Sequence, residues 1–286
     1  MSKITSLKTA ISENIKDGDR VAFEGFTHLI PYAAAHEVIR QQITDLTLVR
    51  MTPDVIYDQL IGMGRVKKMI FSYAGNPGVG LLRRMRDAVE NQWPRPLELE
   101  EHSHSAMAQA YEAGAAGLPC AIFRGYLGAD LRKVNQNIKS VNCPFTGEEL
   151  AAVPSLRPDV TVIHAQKANK KGDVLFTGIV GVQKEAALAA KKVIVTVEEI
   201  VDDFHGKDKN ALILPSWTVT AIAQVKGGAN PSYADGYYTR DNAAYLEWDK
   251  IASDRDQFLN WMEENVINQG PEAFADRAYK IGSEAK

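Results

Sequence analysis

Apolar positions along the chain fall into short continuous runs, separated by stretches with helical spacing. Val21-Ala22-Phe23, LTLVRM at 46–51, KKMIFSYA at 67–74, VTVIHAQ at 160–166 and KKVIVTVEEI at 191–200 read as strands. A strand covered on both faces needs no polar alternation, so such runs point to a buried parallel sheet. Between them, helical spacing predicts a helix in residues 5–15, YAAAHEVIRQ at 32–41, DVIYDQLIGMG at 54–64, GVGLLRRMRDAVE at 78–90 and SHSAMAQAYEAGAAG at 103–117. KEAALAAKK at 184–192 and EWDKIASDRDQFLNWMEENV at 247–266 complete the set, the last as one amphipathic helix.

Punctuation agrees with this rhythm. Asp17-Gly18-Asp19 stops the first helix, the segment WPRPLELE at 93–100 opens on a proline-rich connection and ends strand-like, and a turn is expected at Gly172. Residues 118–159 carry no sustained period and are expected to hold lids, short hairpins and interface loops, while LILPSW at 212–217 reads as strand or loop. The expectation is an α/β fold with a mostly parallel central sheet and flanking helices, one domain over 1–286 with a C-terminal helical extension at 245–286.

Composition narrows the function classes. The chain has 286 residues, 45% of them hydrophobic and 24% charged, which is ordinary for a globular protein. Its 33 Lys and Arg against 36 Asp and Glu leave a charge of −3, with no broad attraction for nucleic-acid phosphates. Cys120 and Cys143 are too few for a disulfide framework and suit a reducing, cytoplasmic setting. The N-terminal segment lacks a signal-like apolar block, and no run of eighteen apolar residues suggests a membrane span. Neither GxGxxG after the first strand nor GxxxxGK followed by Ser or Thr is present, so nucleotide-binding assignments are weak.

The loop after the first strand, Glu24 to Pro31, is the first candidate for chemistry, because Gly25 frees the backbone and Pro31 restricts the exit. With its neighbours it also carries a likeness. DGDRVAFEGFTHLIPYAAAHEVIRQ at 17–41, ITDLTLVR at 43–50, LIGMGRVKKMIFSYAGNPGV at 60–79, AAGLP at 115–119, DVTVIHAQKANKKGDVLFTG at 159–178 and VIVTVEEIVDD at 193–203 resemble the alpha (A) subunit of the two-subunit family I coenzyme A transferases, in the glutaconate CoA-transferase-like branch.

The resemblance implies a chain that shapes the substrate site while a separate beta subunit supplies a nucleophilic glutamate. An acyl-CoA donor would form a glutamyl anhydride there, CoA would attack to give an enzyme thioester, and the acceptor acid would then take the CoA. Coenzyme A and acyl-CoA are substrates in this scheme, with no tightly bound cofactor and no metal expected. The partners implied are the beta subunit, in a heterodimer or higher assembly, and the acyl-CoA and organic acid substrates, a dicarboxylate or 3-oxo acid; no nucleic acid or membrane is expected.

The same resemblance assigns site residues. The oxyanion and substrate loop is Glu24, Gly25, Phe26, Thr27 and His28, with Glu24 standing where the family has the first glycine of Gly-Gly-Phe. A carboxylate there would oppose a developing oxyanion unless turned away or protonated, so its role is open between orienting the loop, assisting chemistry and plain solvent exposure. A second loop, Gly75, Asn76, Pro77 and Gly78, is the substrate-binding candidate, and Pro77 replaces a serine expected in a glutaconate-selective enzyme. Asn76 offers both a donor and an acceptor to a carboxylate or thioester.

His102, His104, His164 and Gln166 are possible pocket supports; the side chains of the group Glu100, Glu101, His102, Ser103 and His104 alternate along a strand-like segment and so are poorly arranged for a metal. Glu198-Glu199 is expected to stabilise a strand end, and the lysines of 167–171 to be solvated. Two other functions stay in view. One is a same-fold acyl-CoA hydrolase, including the ring-opening hydrolases of steroid catabolism, with a carboxylate orienting water. The other is a noncatalytic assembly role.

Overall fold

The computed structural model describes residues 2–76, 79–204 and 210–284. Pro77 and Gly78 of the second loop lie outside the described residues. The chain opens with α1 (Leu7–Asn14), whose N-cap Ser6 accepts the Thr9 amide. It then alternates β1 (Arg20–Glu24), α2 (Tyr32–Arg40), β2 (Leu46–Arg50), α3 (Val55–Gly62), β3 (Val66–Phe71), α4 (Arg83–Glu90), β4 (Glu98–Glu101) and α5 (His104–Ala115). Asp54 caps α3 and Ser103 caps α5 in the same way as Ser6.

Residues 118–159 hold more order than their sequence suggests. They form β5 (Cys120–Phe123), a turn of helix α6 (Leu131–Val134), β6 (Lys139–Asn142) and β7 (Glu149–Pro154), an antiparallel sheet ordered β5-β7-β6. The strands are short and half-exposed, and the apolar stretches in them, Cys120–Phe123 and residues 150–153, are only four residues long. The main sheet resumes with β8 (Val160–Asn169), β9 (Val174–Phe176), α7 (Gln183–Ala189), β10 (Lys192–Val201), β11 (Leu212–Leu214) and β12 (Ala221–Gln224).

Seven strands run parallel in the order β12-β10-β8-β1-β2-β3-β4, and β9 pairs antiparallel with the far end of β8 and carries β11 at its edge. Side-chain parity assigns the two faces. Val21, Phe23, Leu48, Met69 and Phe71 pack under α1–α3 and the C-terminal helices, while Ala22, Val49 and Ile70 pack under α5 and the small sheet. Gly114 in α5 lets that helix lie on the backbone of Leu156, since a Cβ there would sit 2.0 Å from its carbonyl oxygen.

The predicted helix over 247–266 is instead two helices, α8 (Asn242–Ile251) and α9 (Arg255–Met262), followed by a π turn at Glu263–Ile267 and α10 (Ala273–Glu284). The break lies at Asp254, whose carboxylate accepts the Gln257 amide and starts a new helix. α4 starts at Arg83, five residues later than the predicted 78, and β10 runs through Glu198-Glu199, which therefore lie inside a strand instead of ending it. No helix among the described residues is long and apolar enough to cross a membrane.

Candidate active site at the carboxyl ends of the parallel strands

From β1 the chain moves outward one way through β2, β3 and β4, and the other way through β8, β10 and β12. Strand order thus reverses at β1, and the carboxyl ends of strands beside such a point form the usual binding crevice of an open α/β sheet. Glu24 is the last residue of β1, Arg50 the last of β2, and Phe71 the last of β3. Their loops meet there.

The 24–31 loop is folded back tightly. A Cβ on Gly25 would lie 2.7 Å from the Leu29 carbonyl oxygen, 2.9 Å from that of His28 and 2.9 Å from Ile30 Cα, so only glycine fits. Thr27 and Leu29 both have positive φ, at 57° and 54°. These conformations are held from outside: Ser232 Oγ donates to the Thr27 carbonyl at 2.9 Å, and the Leu29 amide donates to Tyr233. Solvent reaches the loop only at Phe26 and Thr27.

His28 is buried beneath this turn against the Tyr233 ring. Its Nδ1 faces the Ile179 carbonyl at 3.2 Å and its Nε2 accepts the Asp235 amide at 3.0 Å, which fixes a neutral ring with the proton on Nδ1. Burial lowers its pKa, in keeping with that state.

Glu24 is only 3% exposed, which removes the solvent-exposed reading. Its Oε1 accepts the Tyr111 hydroxyl at 2.9 Å, and burial raises its pKa to about 7 against the opposing pull of Arg50 and Tyr111. The side chain turns under the loop toward α5, away from the exposed Phe26-Thr27 tip.

Arg50 joins the first two strand ends. It ion-pairs with Asp54 at 3.3 Å, donates to the Gly25 carbonyl, and lies 5.4 Å from the centroid of the Tyr57 ring. The Tyr57 hydroxyl in turn donates to the Val49 carbonyl at 3.0 Å and accepts the Phe23 amide at 3.2 Å. Burial works against the Arg50 cation, yet Asp54, Tyr57 and Glu24 hold its pKa above the usual value. Burial also raises the pKa of Asp54 although Arg50 opposes it.

The next loop is tied to the same place. The Tyr73 amide donates to the Met51 carbonyl and the Gly75 amide to that of Pro53, which lays residues 72–76 alongside residues 51–54. Ser72 Oγ donates to the Met51 carbonyl at 2.8 Å and stands 2.8 Å from His104 Nδ1, whose proton therefore points at the serine. His104 Nε2 then accepts from Thr52 at 3.0 Å. Asn76 is 4% exposed, and its Nδ2 has no hydrogen-bond partner among the described residues. A cavity of about 450 Å³ opens beside it, lined by Tyr73, Gly75, Asn76, Leu81, Met85 and Leu99 among others.

Hydrogen bonds among the strand ends thus bring the 24–28 loop, residues 72–76 and His104 to the same end of the sheet, while the cavity is lined by Gly75 and Asn76 and by none of residues 24–28 or His104. His102 departs from them: its Nε2 donates to Glu100 at 2.9 Å, away from Ser72 and Thr52. Gln166 is one layer back, bonded to Thr177 and the Asp235 carbonyl, and Asp235 is the residue whose amide holds His28. His164 sits wholly inside the sheet between Thr196 and Glu198, each at 2.8 Å. Among the described residues no group of three His, Cys, Asp or Glu side chains is arranged to hold a metal.

Arg50, Asp54, Tyr111, Ser72 and Thr52 escaped the sequence reading. A signal for the first was present: an arginine closing the apolar run LTLV occupies the carboxyl end of a buried strand, where charge is unexpected unless it is used. Tyr111 had none, since its contact with Glu24 spans 87 positions.

Known proteins match this architecture. A profile of the Coenzyme A transferase family covers residues 4–224. The chain is 59% identical to the A subunit of 3-oxoadipate CoA-transferase from Pseudomonas knackmussii, over 98% of this chain and 99% of that one. A crystal structure of glutaconate coenzyme A-transferase from Acidaminococcus fermentans superposes with a TM-score of 0.89 at 32% identity, covering 99% of this chain and 94% of that one. The cholesterol ring-cleaving hydrolase IpdA subunit of Rhodococcus jostii is more distant, at 26% identity over 84% of this chain and 83% of that one. The chain belongs to the coenzyme A transferase family, as an alpha-type (A) subunit of the glutaconate CoA-transferase-like branch.

Proposed function

We propose that this chain works with a beta subunit to move CoA from an acyl-CoA donor to a small 3-oxo dicarboxylate, with 3-oxoadipate as the acceptor acid. The observation that carries the reading is the near full-length identity with the A subunit of 3-oxoadipate CoA-transferase. The position of Glu24 supports the division of labour. A carboxylate held by Tyr111 under the loop is not offered to a thioester, so the covalent glutamate comes from the partner.

The partner's carboxylate attacks the thioester carbonyl, and the CoA thiolate leaves as the anhydride forms. The thiolate then attacks the glutamyl carbonyl and expels the first acid. The acceptor carboxylate attacks the resulting enzyme thioester and expels the CoA thiolate, which then attacks the acceptor's acyl carbon and releases the partner's glutamate carboxylate. The backbone amides at the exposed Phe26-Thr27 tip face the developing oxyanion, in a conformation that Gly25, Ser232 and His28 set in advance. Asn76 Nδ2, buried and unpartnered, donates to a carboxylate of the acid.

The test is to copurify the chain with its beta partner and supply succinyl-CoA or acetyl-CoA with a panel of acids that includes 3-oxoadipate and glutaconate. The reading expects 3-oxoadipyl-CoA to accumulate as the donor disappears, with no net free CoA. Release of free CoA without any acceptor-CoA would establish a hydrolase instead, and no activity with any acid would favour an assembly role.

A further inference from the structure

The loop that carries Asn76 is held at both ends. At its entry the Tyr73 and Gly75 amides donate to Met51 and Pro53. Its exit leads into α4, and the tie there comes from α8, beyond the residues 4–224 that the family profile matches.

α4 has no cap of its own. Its N-cap residue is Leu82, whose side chain offers no acceptor to the free amides at a helix start. Two carboxylates from other helices stand in. Asp58 of α3 accepts the Met85 amide at 2.8 Å and the Trp248 indole N–H at 3.0 Å, which seats α8 against the start of α4. Asp249, the next residue of α8, accepts the Leu81 amide at 3.0 Å. The same carboxylate takes a two-pronged contact from Arg83, at 2.9 Å from Nε and 3.1 Å from the terminal nitrogen.

Gly80 makes this approach possible. Its φ is 124°, and a Cβ there would lie 2.6 Å from Asp249 Cβ and 2.8 Å from Asp249 Cγ. Gly80 in turn forms an antiparallel bridge with Asn76, and the Val79 amide donates to the Asn76 carbonyl at 3.0 Å. A short series of contacts therefore runs from Asp249 through Gly80 to the backbone of Asn76. Asp249 itself is absent from the lining of the cavity beside Asn76, so it touches the loop and not the space that the loop faces.

Resting on the acid-binding role proposed for Asn76, we propose that Asp249 is a positioning residue for the acid substrate. From α8 it fixes the exit of the loop and so sets where Asn76 stands, without touching substrate. The C-terminal helices thereby take part in the site.

The copurified pair, assayed with succinyl-CoA and 3-oxoadipate, tests this. Asp249→Ala is expected to raise KM for the acid about fivefold, with kcat and KM for the acyl-CoA little altered. Asp249→Asn keeps an oxygen for the Leu81 amide and should hold KM within about twofold of the native value. Asn76→Ala and Asp249→Ala together should raise KM no further than Asn76→Ala alone, because the one acts through the other. Hydrogen exchange of residues 72–76 and 79–81 should be faster in Asp249→Ala than in the native chain. An unchanged KM in folded Asp249→Ala, effects that multiply in the double variant, or equal protection of the loop in both chains overturns the positioning role alone. No turnover of any acid by the native pair overturns the function and this role with it.

Discussion

The Tyr111 hydroxyl donates to the Glu24 carboxylate at 2.9 Å, joining α5 to the end of β1 across 87 positions of sequence. The pair lies in the core, and burial holds the pKa of Glu24 near 7 against an ordinary 4.5. A carboxyl whose folded pKa is raised binds its proton better in the folded state. Its stabilising effect is full below about pH 4.5 and is lost as pH rises through 7. Glu24→Gln keeps the shape and cannot ionise. Its stability should match the native chain near pH 4.5 and exceed it by on the order of 2–3 kcal/mol at pH 8, read from urea midpoints. A difference independent of pH would place the carboxyl in contact with water.

Glu198 has the opposite sign. Burial raises its pKa, but hydrogen bonds from His164, the Gly227 amide and Tyr238 carry it below the usual value. Tyr279 of α10 donates to the same carboxylate at 3.0 Å. The ionised form therefore ties the C-terminal helix to the sheet, an effect present above the unfolded pKa and lost as pH falls through the folded one. Glu198→Gln is expected to destabilise the chain at pH 7 and to lose that penalty in acid. Hydrogen exchange should show α10 opening first.

Arg50 is the joint between the first two strand ends. Arg50→Met strands the buried Asp54 carboxylate and frees the Gly25 carbonyl. Removing one partner of such a pair typically costs about 3–5 kcal/mol. Asp54→Asn in the same background should recover part of that loss, because the orphaned charge goes with it. Denaturation of both variants checks this, and no recovery would mean that the pair is not coupled.

Asn76 offers a contrast, since its Nδ2 makes no bond among the described residues that a mutation could break. Asn76→Ala should leave the urea midpoint nearly unchanged while raising KM for the acceptor acid about tenfold, with kcat little altered. A fall in stability with no change in KM would instead make Asn76 a loop support.

The sheet was legible because buried parallel strands leave continuous apolar runs, as in LTLV at 46–49 and VIVTV at 193–197. Local chemistry was legible where a residue type compels a geometry. Gly25 is irreplaceable on steric grounds that a glycine in a strand-to-helix loop already suggests. Short hairpins were expected in 118–159 and β6–β7 is one, but the bounds and pairing of the β5-β7-β6 sheet were not legible because its strands are short and half-exposed, nor was the Asp254 cap, because an amphipathic period continues through it. The site partnerships were the least accessible. Arg50 with Gly25, Ser72 with His104, and Tyr111 with Glu24 exist only once strand order has brought separate loops together. The direction of Glu24 was undecidable from its neighbours, since only the buried Tyr111 hydroxyl gives it a reason to turn inward.

In the proposed division of labour this chain shapes the site and its partner carries the covalent carboxylate. Incubation of the copurified pair with acyl-CoA, borohydride trapping of the enzyme thioester, and peptide mass spectrometry of both chains test it most directly. A modified glutamate on the beta partner, with Glu24 of this chain unchanged, is the predicted result. A modified Glu24 and an untouched partner would contradict it.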